Sequence, residues 1–291
     1  EKKLKSKIQS FKNILKEKRS FRKYPEIDEK IISSWNSLTV SGYLDAYMAT
    51  DEKVYLNKAI DIVNAAEKKL INKDLRISRS FSIEESDILF LEDYSFLANA
   101  YLKLYQSTFN YQWVNRADQI VKKSMDIFFD QNQGFFKFSS NQSTLFSENL
   151  FVLQDGVIPS SNSVMANNLF LLSHYTGNRD YLNIGKKMID SVIGKAINDP
   201  LDYMNWLNVS TDYSKNFYEI VVVGKNAFQI SKDLTSRYLP NTLVAASKTD
   251  ADEYLIKNRY IKGDTLIYVC VNNSCKFPVE TVDEALKLIL N

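Results

Sequence analysis

With 291 residues, 45% of them hydrophobic and 25% charged, the chain has an ordinary globular composition, long enough for one large core or a large core plus a satellite. Lys and Arg total 37 against 35 Asp and Glu, so the net field is weak and a nucleic-acid partner is not expected. No apolar run approaches the ~18 residues of a membrane span, and the basic start (Lys2, Lys3, Lys5, Lys7) leads into a polar helix, so no membrane partner and a cytoplasmic location are expected.

In chain order, a helix is predicted near residues 4–18, then helical hairpins over roughly 30–72, 92–130 and 160–196, then a helix near 200–212. The hairpins share a junction. Tyr47-Met48-Ala49-Thr50 leads to Tyr55-Leu56-Asn57-Lys58-Ala59, Tyr105-Gln106-Ser107-Thr108 to Trp113-Val114-Asn115-Arg116-Ala117, and Tyr175-Thr176 to Tyr181-Leu182-Asn183-Ile184-Gly185. Each time a Thr stands five residues before an aromatic, followed by an aliphatic, an Asn, a variable and a small residue. The helix before each junction is apolar on most sides, as in Ile32, Trp35, Leu38, Val40, Tyr43 and Leu44, and is expected to be buried all round. The helix after it carries one stripe, as in Tyr55, Ala59, Ile62, Val63, Ala66 and Leu70, and is expected to meet solvent. An inner buried helix, short turn and outer amphipathic helix, repeated, predict a mainly α fold: a partial α/α toroid, about half of a six-hairpin ring, over residues 1–214.

From Phe217 the period changes. A strand over Phe217–Gly224, a helix over Asn226–Arg237, strands over Thr242–Ser247 and Thr265–Val271 and a helix over Val282–Leu290 predict a small α/β unit at 215–291. It has no G-x-G-x-x-G or phosphate loop, so no nucleotide or other cofactor is expected. Cys270 and Cys275 lack the C-x-x-C spacing of redox enzymes and read as a buried pair or a local disulfide; redox work would require one of them exposed with a depressed pKa. With His174 the only histidine, no metal site is expected.

The segments entering the inner helices (about 19–29, 73–91 and 131–159) are long, whereas the inner-to-outer turns are short, so the rim at the inner-helix N-termini is the candidate site. It holds Asp28, Glu29, Glu92, Asp93, Asp155 and Asn162. Asp28, Asp93 and Ser160 or Asn162 also stand where N-caps belong, a role that needs no ligand. For glycosidic cleavage, Asp93 is the candidate general acid with Asp155 or Asp28 as partner. Trp35, Asn36, Glu92, Tyr94, Ser160 and Asn162 are the candidate substrate-binding residues; Phe135 and Phe136 could also stack on a sugar, while Trp113 reads as packing. His174, at an inner-helix C-terminus on the opposite face, is a poor catalytic candidate.

Five motifs, Arg19-x-x-Arg22-x-x-Pro25-x-x-Asp28-Glu29-Lys30, Ser34-Trp35-Asn36, Leu91-Glu92-Asp93-Tyr94-Ser95-Phe96-Leu97, Asp155-Gly156-x-x-Pro159-Ser160-x-Asn162-Ser163 and Tyr268-x-Cys270-x-x-x-x-Cys275-x-x-Pro278, resemble in order the C-terminal half of the spermatogenesis-associated, thioredoxin-domain-containing family. The resemblance implies a toroid similar to N-acylglucosamine epimerases and six-hairpin glycosidases, entered midway, without the thioredoxin-like domain and first hairpins. The implied partners are a glycan and the missing N-terminal half of the ring or a second subunit; the alternative is a non-catalytic interaction module. Glu29, Ser37, Ser161, Asn149 and Phe151 depart from the family pattern, the last two where basic residues precede Asp155.

Overall fold

The computed structural model describes all residues except 82–87, 141–149, 215, 272–273 and 291, so Asn149 lies outside the described residues. Residues 1–30 and 31–291 are two compact units. In the first, α1 (Lys2–Ser20) buries none of its residues, and its apolar stripe Leu4, Ile8, Phe11 and Leu15 is exposed. Lys18 and Arg19 in its last turn suit the negative end of the helix dipole.

The second unit opens with paired helices: α2 (Ser33–Thr50) with α3 (Lys53–Leu70), α4 (Leu91–Thr108) with α5 (Gln112–Phe128), and, after a short hairpin of β1 (Phe129–Asp130) and β2 (Phe135–Phe136), α6 (Ser161–Thr176) with α7 (Arg179–Asn198). A 3₁₀ turn at Pro200–Tyr203 leads into α8 (Met204–Ser214).

The repeated junction is a helix stop written in side-chain chemistry. Thr50, Thr108 and Thr176 each donate a hydroxyl to the carbonyl four residues back, at 2.8, 2.7 and 2.6 Å. Each then accepts the backbone N–H two residues on, at 3.3, 3.4 and 3.3 Å. The residue between, Asp51, Phe109 or Gly177, is left-handed at φ 62°, 54° and 73°, the backbone turn that ends a helix and satisfies its last carbonyls. The small residue nine after each Thr lets the outer helix approach the inner one. Ala59 and Ala117 are wholly buried, and a Cβ on Gly185 would lie 3.3 Å from the Ala166 carbonyl of α6 and collide with the Tyr213 hydroxyl of α8.

The inner helices run parallel. Ser34 at the start of α2 meets Asp93 at the start of α4, and Asp45 meets Lys103 toward their ends. Likewise Ser95 pairs with Asn168 and Gln106 with Tyr175 along α4 and α6. Their N-termini therefore share one rim. Helices α4 and α6 are buried on nearly every side, as expected. Helix α2 is not: Trp35, Thr39, Gly42 and Ala49 are exposed and Leu38 and Tyr43 only half-buried. Among the described residues of this unit it is the edge of the row, without on one flank the neighbour that α4 has in α6.

The C-terminal part is a sheet of β3 (Tyr218–Val223), β4 (Thr242–Ser247), β5 (Leu266–Val271) and β6 (Ser274–Cys275), ordered β4-β3-β5-β6, with helices α9 (Ala227–Thr235) and α10 (Val282–Leu290). β3 pairs parallel with β4 and antiparallel with β5. One face of β3, Val221 and Val223, joins the hairpin core; the other, Ile220 and Val222, joins a second core with α9 and α10. Phe109, bulky yet left-handed, belongs to that second core and lies against Phe228, so the strain of its backbone is offset by burial of its ring. Among the described residues no helix is long and apolar enough to cross a membrane.

Candidate functional site

The rim is built from irregular segments held to helix starts by carboxylates and amides. Asp93 sits in the first turn of α4, but its side chain serves α2: Oδ1 accepts the Ser34 backbone N–H at 2.9 Å. Capping is therefore its role, though not of the helix that carries it. The same oxygen meets Arg79 Nη1 at 3.0 Å, and Glu92 Oε2 meets that nitrogen at 3.0 Å. Arg79 also donates to Ser34 Oγ at 3.3 Å. Asp93 is wholly buried, and among the described residues its Oδ2 has no hydrogen-bond partner. Burial pushes its carboxyl up to about 7 against the opposing pull of Arg79. Arg79, flanked by two carboxylates, has its guanidinium pKa raised although its own burial works the other way.

Tyr94, next along α4, is wholly buried, and its hydroxyl accepts the Ile77 N–H at 3.0 Å. Burial pushes that phenol up to about 12. Its ring packs edge-on against Phe128 and offers no face to a ligand. Asn36 donates to the Ile32 carbonyl at 2.9 Å, inside its own helix. Trp35, by contrast, is 57% exposed.

The second cluster lies at the start of α6. Asp155 Oδ1 accepts the Ser160 N–H at 2.8 Å and the Ser163 hydroxyl at 3.4 Å, and Oδ2 accepts the Asn205 N–H at 2.8 Å. Ser160 is the N-cap of α6, its Oγ accepting the Ser163 N–H at 3.2 Å. Asn162 is no cap. It is wholly buried, its Oδ1 accepting the Phe136 N–H at 2.9 Å and its amide donating to the Phe136 and Val152 carbonyls at 2.9 and 3.2 Å. It thus pins the β1–β2 hairpin, and Phe136 is buried with it.

The structure therefore brings Asp93, Glu92 and the start of α2 together around Arg79, and Asp155, Ser160 and Ser163 together around Asn205. Asp28 belongs to the first unit, is exposed and binds Lys30 through its backbone N and its Nζ, at 3.2 and 3.1 Å, which holds the carboxyl below its usual range. Arg79 and Asn205 were not singled out in the sequence, because their partners stand 14 and 50 residues away and no local pattern links them. Trp113 is buried against Tyr101, as its place in the repeat suggests.

On the opposite face, where the hairpin turns meet α9, a groove of about 620 Å³ is lined by Tyr47, Asp51, Phe109, Phe228 and Lys232 among others. Lys232 pairs there with Asp51.

Comparison with known proteins agrees with the motifs. The chain is 25% identical to human (Homo sapiens) spermatogenesis-associated protein 20 over 293 aligned positions, 93% of this chain and 37% of that protein. The protein of the same name from Rattus norvegicus is 23% identical over the same shares. The chain resembles spermatogenesis-associated protein 20 along nearly its whole length. It spans little more than a third of the length of these relatives. No protein-family model matches. Among solved structures, a GH76 alpha-mannanase of Bacteroides thetaiotaomicron superposes with a TM-score of 0.54 at 15% identity, covering 80% of this chain and 67% of that one. The fold is thus that of the α/α toroid seen in such enzymes, with a small mixed sheet added.

Proposed function

We propose that the rim at the N-termini of α2, α4 and α6 binds a glycan. The observation that carries this reading is Trp35, a large indole left open to solvent at the start of α2, one residue along the chain from Ser34, which Arg79 hydrogen-bonds. An exposed indole face suits a sugar ring, whose faces are apolar and whose edge is hydroxyl. The toroid shared with the alpha-mannanase adds support by analogy and makes mannan oligosaccharides the first probe. The carboxyls proposed as acid and base, Asp93 and Asp155, are occupied in holding helix starts, so this reading assigns binding to the rim and leaves catalysis to the outcome of an assay. Titration calorimetry of the full chain against mannan oligosaccharides should show binding that Trp35→Ala weakens tenfold or more; absence of heat across a broader glycan panel would refute it.

A second reading rests on the bare flank of α2. Trp35, Thr39, Gly42 and Ala49 are exposed along α2, and among the described residues nothing lies within 4 Å of a Cβ built on Gly42. We propose that a further helical hairpin, from a second copy or from a separate polypeptide, packs there and extends the row. Solution mass separates the two readings: a monomer that binds glycan supports the first, whereas an oligomer broken by Gly42→Arg supports the second.

A further inference from the structure

Strand alternation puts a chemically loaded row on the sheet face turned toward the hairpins. Ile220 and Val222 of β3 and Ile267 and Val269 of β5 lie in the core with α9 and α10, so Glu219 and Cys270 point the other way. Glu219 stands directly opposite Cys270, and Cys270 directly opposite Cys275. The cysteines are joined as a disulfide whose two ends differ: Cys270 is wholly buried and Cys275 is exposed.

The surroundings of each end differ as well. Arg259 Nη2 lies 3.4 Å from Cys275 Sγ, while its Nη1 donates to the Leu255 carbonyl at 2.8 Å and the Tyr268 hydroxyl donates to the Arg259 carbonyl at 2.9 Å. The guanidinium is thereby held at the exposed sulfur, and a fixed cation stabilises a thiolate. Beside Cys270, one strand over, Glu219 Oε1 is 2.7 Å from His174 Nδ1. A cavity of about 300 Å³ opens at the exposed end, lined by Glu219, Tyr254, Lys257, Asn258, Arg259 and Cys275. A disulfide that served only to tie β6 to β5 would need neither the cation, nor the buried acid–imidazole pair, nor the opening.

We propose that Cys270–Cys275 is a thiol–disulfide exchange site for a small carboxylate-bearing thiol, which Lys257 and Arg259 attract to the opening. The incoming thiolate attacks Cys275 Sγ; a new S–S bond forms as the Cys270–Cys275 bond breaks, and Cys270 leaves with the electron pair. Its thiolate takes a proton from the His174–Glu219 pair, which regains one from solvent. A second thiolate attacks the sulfur of the first in the mixed disulfide, releasing a small-molecule disulfide and leaving Cys275 as a thiolate beside Arg259. Two thiols are oxidised and one protein disulfide is reduced; the reverse sequence oxidises the protein pair at the expense of a small disulfide.

Glutathione is the probe. The folded chain, equilibrated in reduced and oxidised glutathione, acid-quenched and alkylated, should show the pair passing between disulfide and dithiol with its circular dichroism unchanged. Cys270→Ala should accumulate a glutathione adduct on Cys275, and Cys275→Ala should leave Cys270 unmodified. Arg259→Ala should slow adduct formation about tenfold. Glu219→Gln should slow reduction of the native pair but not adduct formation on Cys275 in the Cys270→Ala background. A disulfide that stays oxidised until urea unfolds the chain, or an adduct rate indifferent to Arg259, would overturn the proposal. If Cys270→Ala fails to fold, the reduction rate of the wild type against Arg259→Ala decides alone.

Discussion

The starts of α4 and α6 solve one problem with different chemistry. Each places a carboxylate where an inner helix begins, and each uses it to hold a segment distant in sequence. At α4 the carboxylate, Asp93, is wholly buried, takes one backbone N–H and faces the half-buried cation Arg79. At α6 the carboxylate, Asp155, is half-exposed and takes two backbone N–H groups and a hydroxyl, with no cation paired to it among the described residues. Neutral donors near water stabilise a carboxylate modestly and at little desolvation cost; a buried ion pair depends on both partners, and losing one strands the other.

The largest expected effect follows. Above pH 7, where Asp93 is ionised, Asp93→Ala should destabilise the chain by about 3 kcal/mol in urea denaturation, because Arg79 loses its buried partner and keeps Glu92 and the Ser34 hydroxyl, and the Ser34 N–H loses its acceptor. A loss no greater than that of Asp155→Ala would erase the distinction between the two sites.

The pH dependence sharpens it. Burial raises the Asp93 carboxyl from 3.8 to about 7, so between those values the folded chain holds a proton that the unfolded chain has released. This contribution is fully present below about pH 4 and is lost as pH rises through about 7, with a slope of at most about 1.4 kcal/mol per pH unit. The stability of wild type relative to Asp93→Asn should therefore fall across that window and level off above it. A flat difference would mean that Arg79 balances burial, and one that rises with pH that Arg79 outweighs it.

Asp155→Ala should cost about 1 to 2 kcal/mol by the same denaturation measurement, since water can reach some of the donors it leaves. The smallest effect is expected at Trp35: Trp35→Ala should change stability by less than about 0.5 kcal/mol, because the indole is mostly outside the core. A larger loss would show it to be a packing residue and remove the support for glycan binding.

Much of the fold was legible in the sequence because its signals are local. The Thr at each hairpin stop bonds within four residues of itself, so three copies of one junction located three turns. The β-rich run Phe217–Gly224 marked a strand. The candidate site was legible as a rim and misread in detail. Asp93 was expected to cap its own helix and caps its neighbour; Tyr94 was a stacking candidate and is sealed in the core; Asn162 was a cap candidate and holds a hairpin instead.

By itself the sequence determined where helices begin and end, which face of each outer helix is apolar, and that the last quarter of the chain changes to strands. Those outcomes depend on propensity, periodicity and hydrogen bonds between near neighbours. Only the tertiary structure decided that α2 is an edge, that Asp93 belongs with Arg79, and that Glu219, Cys270 and Cys275 share one row. Each of these depends on which distant segments pack together, and burial and charge pairing are properties of that packing.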